Sequence, residues 1–420
     1  MHQRVVGNMR RFAVAIVAVS VSYGSAGAAD MIQETGSRGF EWSGFYIGAG
    51  VGAGAAVHEV DLNFIPASLN GIGGEGVYGE VAVGYDHMVT DRFLIGVFAN
   101  ARYGDIKSTV SGFGFSADAT LDTGYDLGAR AGMLLTPTTL GYVLGGYSHQ
   151  SYDVAAPGFS YDWETAGFVV GAGLETVINN RLTAKIEYAY RQYEGHDFGT
   201  GGAIELPTST HTVLLGLNYR FGADAAAPGP GFVAATPSWT GFFVSGSVGA
   251  AGLVHELSSP LIAGSLNGLG AEGVFGTIGA GYDHEFGNGM VAGIEARGRL
   301  SGVSTSLTFP GFDASVDEEY GFDVVGRLGY KLTPSALIYG LAGYSFAHFN
   351  VDATSFGSVY DWDANGYVVG AGMEIALSDH LFAGLEYRYA GYEDEDIFDA
   401  GLLSVGPSSH SGQLTLKYKF

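Results

Sequence analysis

The sequence predicts an all-β membrane protein, built as a transmembrane antiparallel up-and-down β-barrel that is present twice in tandem. Three observations predict it. The segment from Trp42 to Phe221 reappears as the segment from Trp239 to Phe420, apolar and polar residues alternate within both copies, and the chain opens with the pattern of an export signal. A repeat of this length is a whole domain rather than one unit of a solenoid.

The repeat is visible in matched blocks of sequence. Gly84 to His87 (GYDH) recurs 197 residues later, whereas Tyr161 to Trp163 (YDW) recurs 199 residues later, after an insertion of two residues. The chain therefore divides into a signal peptide (1–29), a periplasmic N-terminal segment (30–41), a first eight-stranded barrel repeat (42–221), an Ala/Pro/Gly-rich periplasmic linker (222–238) and a second eight-stranded barrel repeat (239–420).

The first 29 residues predict export. Three arginines precede an apolar run, and small residues follow it: Arg4, Arg10 and Arg11, then 12–21, then Ser25 to Ala29. This order is that of a cleaved secretory signal peptide, and the apolar run is too short to cross a bilayer as a retained helix. The chain has no cysteine, so the exported protein has to be stable without disulfide bonds.

The composition favours a barrel over a soluble enzyme. The chain has 69 glycines, 13% aromatic residues and only 15% charged residues, and its mean hydropathy is positive. Apolar residues that are dispersed by alternation rather than gathered in long runs are typical of a transmembrane β-barrel. The formal net charge of −24, which becomes −27 once the three signal arginines are removed, would repel nucleic acid and excludes it as a partner.

Alternation is clearest between Leu121 and Met133. One side of this segment carries charged residues and glycine and the other carries mainly apolar residues: Asp122, Gly124, Asp126, Gly128, Arg130 and Gly132 against Leu121, Thr123, Tyr125, Leu127, Ala129, Ala131 and Met133. Successive side chains of a strand face opposite sides of the sheet. A slip of one residue would place Arg130 in lipid, at a cost of about 2 to 4 kcal/mol near the midplane, so the register is well specified.

Segments of this kind predict about eight strands in each copy. In copy one they lie near 44–57, 75–88, 92–104, 119–135, 139–153, 163–178, 181–194 and 211–221. Short links at 88–92, 136–139 and 179–180 are expected in the periplasm, and long loops at 58–74, 105–118, 151–161 and 195–210 are expected outside the cell. Aromatic residues near the strand ends, among them Trp42, Tyr46, Phe221, Trp239 and Phe420, are expected to form interfacial girdles.

The charges assigned to the inward face are predicted to form an ion network inside the barrel. They are Glu80, Arg102, Asp122, Asp126, Arg130, Glu175, Lys185, Glu187 and Arg191, with Asp86 and Arg220, in copy one, and Glu295, Arg297, Arg299, Asp323, Arg327, Glu374, Glu386 and Arg388 in copy two. Acids and bases are nearly balanced, and buried charges need partners. This balance favours two narrow, filled eight-stranded barrels, with one sixteen-stranded barrel as the alternative.

Several motifs resemble those of a known family. The openings WSGFY (42–46) and WTGFF (239–243), the segments VVGAG (169–173 and 368–372) and the terminal Tyr418 and Phe420 look like the small outer-membrane β-barrel or "porin family" proteins of alpha-proteobacteria, relatives of the OmpA and OmpX barrels. The resemblance covers nearly all of the chain after the signal peptide, once per copy. It implies a structural, surface-exposed protein of the outer membrane of a Gram-negative bacterium, and recognition of Tyr418 and Phe420 by the barrel assembly machinery.

The sequence offers little support for catalysis or for a cofactor. The G-x-G-x-x-G matches at 71–76 and 268–273 lead from a loop into a strand, whereas dinucleotide binding needs a following helix. His58-Glu59 and His255-Glu256 lack the second histidine of a zinc motif and are expected to be polar pairs at loop edges. His211 and His410 precede the last strand of each copy without an identifiable Ser and acid partner, and are expected at the barrel rim.

The expected function is therefore non-enzymatic: a structural, envelope-integrity and surface-contact role through acidic external loops, with a sixteen-stranded porin for passive diffusion of small solutes as the alternative. No cofactor is expected. The expected partners are outer-membrane lipid, lipopolysaccharide, the assembly machinery and an unknown surface ligand. The acidic run Glu393, Asp394, Glu395 and Asp396 is a candidate for binding divalent cations that bridge to lipopolysaccharide.

Overall fold

The computed structural model describes residues 40–63, 65, 67–112, 115–198, 203–222, 237–259, 264–353, 358–396 and 404–420. The predicted signal peptide and most of the predicted linker lie outside these residues. Within them, the regular structure is antiparallel β-sheet. None of the described residues belongs to a helix that is long and apolar enough to cross a membrane.

Copy one forms a closed barrel of eight strands within the described residues. Its strands are β1 (Gly44–Leu62), β2 (Ala67–Met88), β3 (Phe93–Gly112), β4 (Phe115–Thr136), β5 (Thr139–Ala156), β6 (Phe159–Val177), β7 (Leu182–Phe198) and β8 (Ile204–Arg220). Each strand pairs with the next, and β8 returns to β1, with Arg220 opposite Tyr46 and Ile204 opposite Leu62. We call this closed sheet barrel one.

Copy two closes on itself in the same way, as barrel two. The strands are β9 (Gly241–Ser259), β10 (Gly264–Glu285), β11 (Met290–Phe309), β12 (Phe312–Thr333), β13 (Ala336–Ala353), β14 (Ser358–Ala376), β15 (Leu381–Tyr392), β16 (Glu395–Asp396) and β17 (Ser404–Lys419). The two-residue β16 continues the line of β15 against β17, and β17 pairs with β9. The sixteen-stranded alternative is therefore wrong. Within each copy the first and last strands are hydrogen-bonded to each other, so neither remains as a free edge.

The predicted strands are all present, and most are longer than predicted. Strands β2, β4, β10 and β12 have 22 residues each, whereas a tilted strand crosses a bilayer in about 9–11 residues. Much of each predicted long loop is paired strand; β1, for example, reaches Leu62 and β2 begins at Ala67. The Gly-, Ser- and Asp-rich composition of these segments suggested loops. A strand can nevertheless carry polar residues on an outer face that is in water, provided that its backbone N–H and C=O groups are paired with neighbouring strands.

The two ends of each barrel differ. The short connections after β2, β4 and β6 share one end with both termini of the copy, and we call it the turn end; the opposite end, at the tips of the long strands, is the hairpin end. Apolar side chains cover the outer wall towards the turn end, including Phe45 at 66% exposure, Val51 at 70% and Val81 at 61%. This exposed apolar band is the surface that a barrel presents to lipid.

The predicted aromatic girdle is only partly correct. Phe221 and Phe420 are exposed on the outer wall, but Trp42, Tyr46 and Trp239 are buried. Trp42 and Trp239 precede the first strand of each copy and turn into the barrel end, where Trp42 packs in a cluster with Leu94. Each tryptophan lies against the cationic side chain that ends the last strand of its own copy, and this contact holds the ring inside.

Candidate functional site

The charged interiors of the two barrels form the candidate functional site. Among the described residues of barrel one, five acidic and five basic side chains are buried: Glu80, Asp86, Asp126, Glu175 and Glu187 with Arg102, Arg130, Lys185, Arg191 and Arg220. Inward positions alternate with lipid-facing ones along each strand, so neighbouring strands bring these side chains to the same levels of the barrel.

The layer nearest the turn end is a ring of two arginines and two acids. Arg130 donates from Nε to Asp86 Oδ1 at 2.9 Å and from Nη1 to Glu175 Oε2 at 3.1 Å. Arg220 donates from Nη1 to Asp86 Oδ2 and from Nη2 to Glu175 Oε1, both at 2.9 Å. Each acid therefore contacts both guanidinium groups, and the ring ties β2, β4, β6 and β8 together across the barrel.

Aromatic and apolar side chains close barrel one below this ring. The guanidinium of Arg220 lies 4.9 Å from the Trp42 ring centre, and its Nη1 donates to the Trp42 carbonyl oxygen at 2.9 Å. Trp42 packs with Leu134 and Leu140, which also face the interior. This end of the barrel is therefore filled by side chains.

Two further ionic layers lie above the ring. Lys185 Nζ lies 3.4 Å from Glu80 Oε1 and 3.6 Å from Glu187 Oε2. Asp126 is held at 2.9 Å by Arg191 Nη2 and at 3.1 Å by Arg102 Nη2. Asp126 therefore has two cationic partners, which compensates the burial of its charge, whereas Glu80 and Glu187 share Lys185.

An apolar layer fills barrel one near the hairpin end. It contains Ala56, Tyr78, Ile106, Leu121, Tyr152 and Leu214, and the Tyr152 ring stacks on Trp163 with 4.8 Å between ring centres. His58, expected at a loop edge, is instead buried here, and its Nδ1 lies 2.8 Å from Thr208 Oγ1. His58 lies seven residues beyond Val51 along β1, on the hairpin-end side of this residue of the exposed apolar band. Burial lowers the pKa of His58 to about 4, so the ring is neutral at neutral pH.

Barrel two also has buried ion pairs, but some of its cationic residues stand at different strand positions from those of barrel one. Arg191 is replaced by alanine at the equivalent position, and an arginine, Arg388, appears two residues earlier in the strand. Nη1 of Arg388 lies 2.7 Å from Oδ2 of Asp323, which is the repeat equivalent of Asp126. The cation has changed its place in the strand, and the carboxylate has kept a partner.

The arginine that ends β8 is replaced in barrel two by two lysines. Lys419 Nζ lies 2.8 Å from Asp283 Oδ2, and Lys417 Nζ lies 2.5 Å from Glu374 Oε2. Arg327, the equivalent of Arg130, contacts the same two acids, from Nε to Asp283 at 2.7 Å and from Nη1 to Glu374 at 2.8 Å. Three cations therefore face two acids at this level, where barrel one has two.

The remaining predicted members of barrel two also meet. Arg297 lies 2.9 Å from Glu295 and 3.1 Å from Glu386, and Arg299 lies 2.5 Å from Glu318. A cavity of about 10 Å³ remains beside Gly384, which stands where copy one has Lys185. A cavity of this size holds about one water molecule.

Asp122 does not join the network, contrary to the prediction. A β-bulge lies between Leu121 and Gly124, so two successive residues, Asp122 and Thr123, face away from the interior. Leu121 is buried inside instead, and Asp122 is only partly buried. The same bulge in copy two brings in Glu318, which the alternation pattern had not indicated.

Sequence reasoning missed four members of the interior network of copy two: Asp283, Glu318, Lys417 and Lys419. Three of them carried a usable signal. Asp283 is the repeat equivalent of Asp86, and both lysines alternate with the lipid-facing Leu416 and Tyr418. Glu318 carried none, because the bulge that turns it inward has no unique sequence pattern.

The other candidates do not come together as a metal site in the described part of the chain. No three His, Asp or Glu side chains among the described residues are placed to hold a metal ion; this includes the run from Glu393 to Asp396, which is largely exposed. The G-x-G-x-x-G segments lie inside β2 and β10, with no helix after them. His211 and His410, expected at the rim, are 3% and 5% exposed.

These features define a class: transmembrane β-barrel proteins with interiors filled by ion pairs, here with two barrels in one chain. Both halves match the family model of the outer membrane protein beta-barrel domain, over residues 15–221 and 225–420. The chain belongs to this family, and its location is the cell outer membrane of a Gram-negative bacterium.

Three similar proteins are each matched over less than half of this chain. The 31 kDa outer-membrane immunogenic protein of Brucella melitensis biotype 1 is 29% identical over 222 residues, which cover 47% of this chain and 92% of that protein. The 22 kDa outer membrane protein of Rhizobium leguminosarum bv. viciae is 37% identical over 126 residues, which cover 28% of this chain and 58% of that protein. Among solved structures, neisserial surface protein A aligns with 42% of this chain and 97% of its own, at 19% identity and a TM-score of 0.27.

Proposed function

We propose that this protein is a non-enzymatic structural component of the outer membrane, whose two filled barrels hold acidic hairpins at the cell surface for envelope integrity and surface contact. The observation that carries the proposal is the ring formed by Arg130, Arg220, Asp86 and Glu175 across the interior of barrel one. Arg327, Lys417 and Lys419 make the corresponding contacts in barrel two.

These layers oppose passage of solutes. An eight-stranded barrel is only wide enough for its own side chains. A solute on its way through barrel one would have to separate buried ion pairs at successive levels, and separation of a buried pair is costly. It would also have to displace Trp42 at the turn end and Tyr152 at the hairpin end, both of which are buried.

Conductance in a planar bilayer tests this proposal against the pore alternative. We expect the refolded protein, without the predicted signal peptide, to insert and to give no large, stable conductance steps, because the buried ion pairs leave no open lumen for ions. Insertion is checked in the same preparation by resistance of the folded barrels to SDS without heating. Large, stable steps from inserted protein would contradict the proposal and favour passive diffusion as the function.

The hairpin end carries the charge that supports a surface role. Asp61, Glu205 and Asp197 lie opposite one another on β1, β8 and β7. Partial burial and the neighbouring acids Asp197 and Asp61 raise the pKa of Glu205. Because the interior charges are balanced, the large negative charge of the chain belongs to such exposed regions. The proposed partners are lipopolysaccharide, through divalent cations, and an unidentified surface ligand.

The surface role requires the hairpin end to face outside, and the absence of cysteine makes this testable. We expect E393C, at the hairpin end, to react with a membrane-impermeant maleimide on intact cells. N288C, an exposed position in the turn between β10 and β11, is the matched control and should react only after the outer membrane is permeabilised. The reverse pattern would contradict the proposed orientation. The Brucella relative is named an immunogenic protein, and outward hairpins of this protein would be open to antibodies.

A further inference from the structure

The outer walls of the two barrels contain side chains that are buried against each other. Ile186 alternates with the inward-facing Lys185 and Glu187, so it lies on the outer wall of barrel one, yet it is completely buried. Ile375 of barrel two is likewise beside the inward-facing Glu374 and completely buried. Both belong to one apolar cluster drawn from the two barrels, with Leu174, Ala184 and Val213 from barrel one and Ala336, Met373 and Leu385 from barrel two. These side chains are therefore withdrawn from lipid.

The contact pairs equivalent positions of the two copies. Gly252 is the repeat equivalent of Ala55, and a Cβ at Gly252 would lie 3.1 Å from the Ala55 Cβ. Leu269 is the equivalent of Ile72, and these two residues pair as neighbouring strands do. Contact of a position with its own equivalent occurs on the axis of an isologous, two-fold interface. The two barrels are therefore related by a pseudo-two-fold axis that passes through their contact.

Glycines allow the close approach on this axis. A Cβ at Gly270 would lie 3.2 Å from the Cα of Gly73, its repeat equivalent. A Cβ at Gly71, where φ is +116°, would lie 2.1 Å from the carbonyl oxygen of Gly270. Larger residues would hold the backbones apart. The glycines of the two G-x-G-x-x-G segments thus have a packing role between the barrels.

Two equivalent polar clusters flank the axis, and together we call them the polar clasp. Glu272 of barrel two contacts Ser209 Oγ and lies 3.2 Å from His211 Nε2 of barrel one. Reciprocally, Glu75 of barrel one lies 2.7 Å from Ser408 Oγ and 3.1 Å from His410 Nε2 of barrel two. In each cluster a tyrosine hydroxyl lies 2.7 Å from the histidine Nδ1, from Tyr188 and Tyr387 respectively.

The clasp contains serine, histidine and acid, but its bonds are those of a structural contact. In a hydrolase the serine hydroxyl bonds to the histidine, and the acid holds the other ring nitrogen. Here Ser209 donates to Glu272, and a tyrosine hydroxyl takes the place of the acid at His211 Nδ1. His211 is also only 3% exposed, so its ring is almost completely covered by neighbouring side chains.

We propose that the outer wall around β1 and β8 is a docking surface whose partner is the other repeat of the same chain, and that the polar clasp holds the two barrels as one fixed pair. This goes beyond the structural role proposed above, because a linker alone would leave two independent barrels. It explains why the apolar wall is interrupted by Glu75 and Glu272, acids that would be costly on a surface turned to lipid.

Disulfide trapping tests the docking surface directly, since the chain has no cysteine of its own. The A55C/G252C double variant places two Cβ atoms slightly closer than the roughly 3.5–4.5 Å of a disulfide. We expect mild oxidation in the outer membrane to convert most of the protein to an intramolecular cross-linked form. L127C/V324C is the matched control: these equivalent residues of β4 and β12 are exposed on the outer wall, and should give no intramolecular cross-link. Folded, inserted A55C/G252C protein that fails to cross-link would overturn the proposal.

A second experiment tests the clasp without relying on a disulfide. A protease site is inserted in the segment 222–238 of the full chain, and the inserted protein is cut in mild detergent. We expect the two halves to remain together, and to separate when E75A and E272A are combined. The matched control is E194A with E393A, which removes two exposed acids at equivalent positions.

Folding of each half is checked by its resistance to SDS before heating. Separation of the halves without any clasp substitution, or equal separation in the E194A/E393A control, would overturn the proposal. Ester hydrolysis by the intact protein that S209A abolishes would overturn the structural interpretation of the clasp.

Discussion

Replacement of Arg130 by methionine is expected to destabilise barrel one by about 3–5 kcal/mol, the usual cost of removing one partner from a buried ion pair. Arg130 contacts both Asp86 and Glu175, and after the substitution Arg220 is the only described cation that contacts these two buried acids. The methionine retains most of the volume of the side chain, so the loss reports on charge rather than on a large cavity. The measurement is denaturant unfolding in detergent micelles.

Tryptophan fluorescence can report on one barrel at a time. The chain has four tryptophans, two in each copy, so a W239F/W362F background makes the signal specific to barrel one. The control is R181M, which removes an exposed arginine that hydrogen-bonds to Tyr219 at the turn end. It should change the free energy of unfolding by less than about 0.5 kcal/mol. Equal effects of R130M and R181M would contradict the assigned role of the ring.

The two barrels should respond differently to the same substitution. R327M in barrel two leaves Lys417 beside Glu374 and Lys419 beside Asp283, so each acid keeps a cation. R130M leaves two acids with one cation. We therefore expect R327M, measured in a W42F/W163F background, to cost clearly less than R130M. Adding E175Q to R130M should recover part of the loss, since it removes one uncompensated charge.

Replacement of Phe420 by aspartate is expected to remove most of the protein from the outer membrane fraction. The family resemblance implies that the terminal strand, with Tyr418 and Phe420 facing outward, is read by the assembly machinery. Phe420 is 71% exposed, so little folded-state packing is lost with its ring. The measurement is the amount of SDS-resistant protein in isolated outer membranes.

Phe221 supplies a matched control for this prediction. Its backbone N–H donates to the Phe45 carbonyl oxygen at 2.9 Å, just as that of Phe420 donates to Phe242 at 2.9 Å. The two residues therefore have the same place in their barrels, and they differ in that the family resemblance implies recognition by the assembly machinery for Phe420 and not for Phe221. We expect F221D to retain most of the inserted protein. Equal losses in the two variants would mean that the aromatic residue matters for barrel closure rather than for recognition of the terminus.

Much of the candidate site could be predicted from period-two alternation, and its errors have a common cause. Arg130, Glu175 and Arg327 are buried in ion pairs on the face where alternation placed them. Asp122 is not, because the bulge at Leu121 shifts the phase of alternation by one residue. Trp42 lies outside any strand, where alternation makes no prediction, and its position depends on Arg220 at the far end of the repeat.

The sequence by itself determined the repeat, the strand segments and, for most strands, which residues face inward and which face outward. These features follow from the spacing of residues within the chain. Only the tertiary structure decided that each copy closes on itself, since the same strands with the same alternation would also line a wider barrel. It also decided which outer-wall residues meet the other barrel. Ile186, buried against barrel two, and Val97, exposed on the outer wall, are both apolar. Lipid and a second barrel are equally apolar surroundings, so the choice between them depends on how the whole walls fit together.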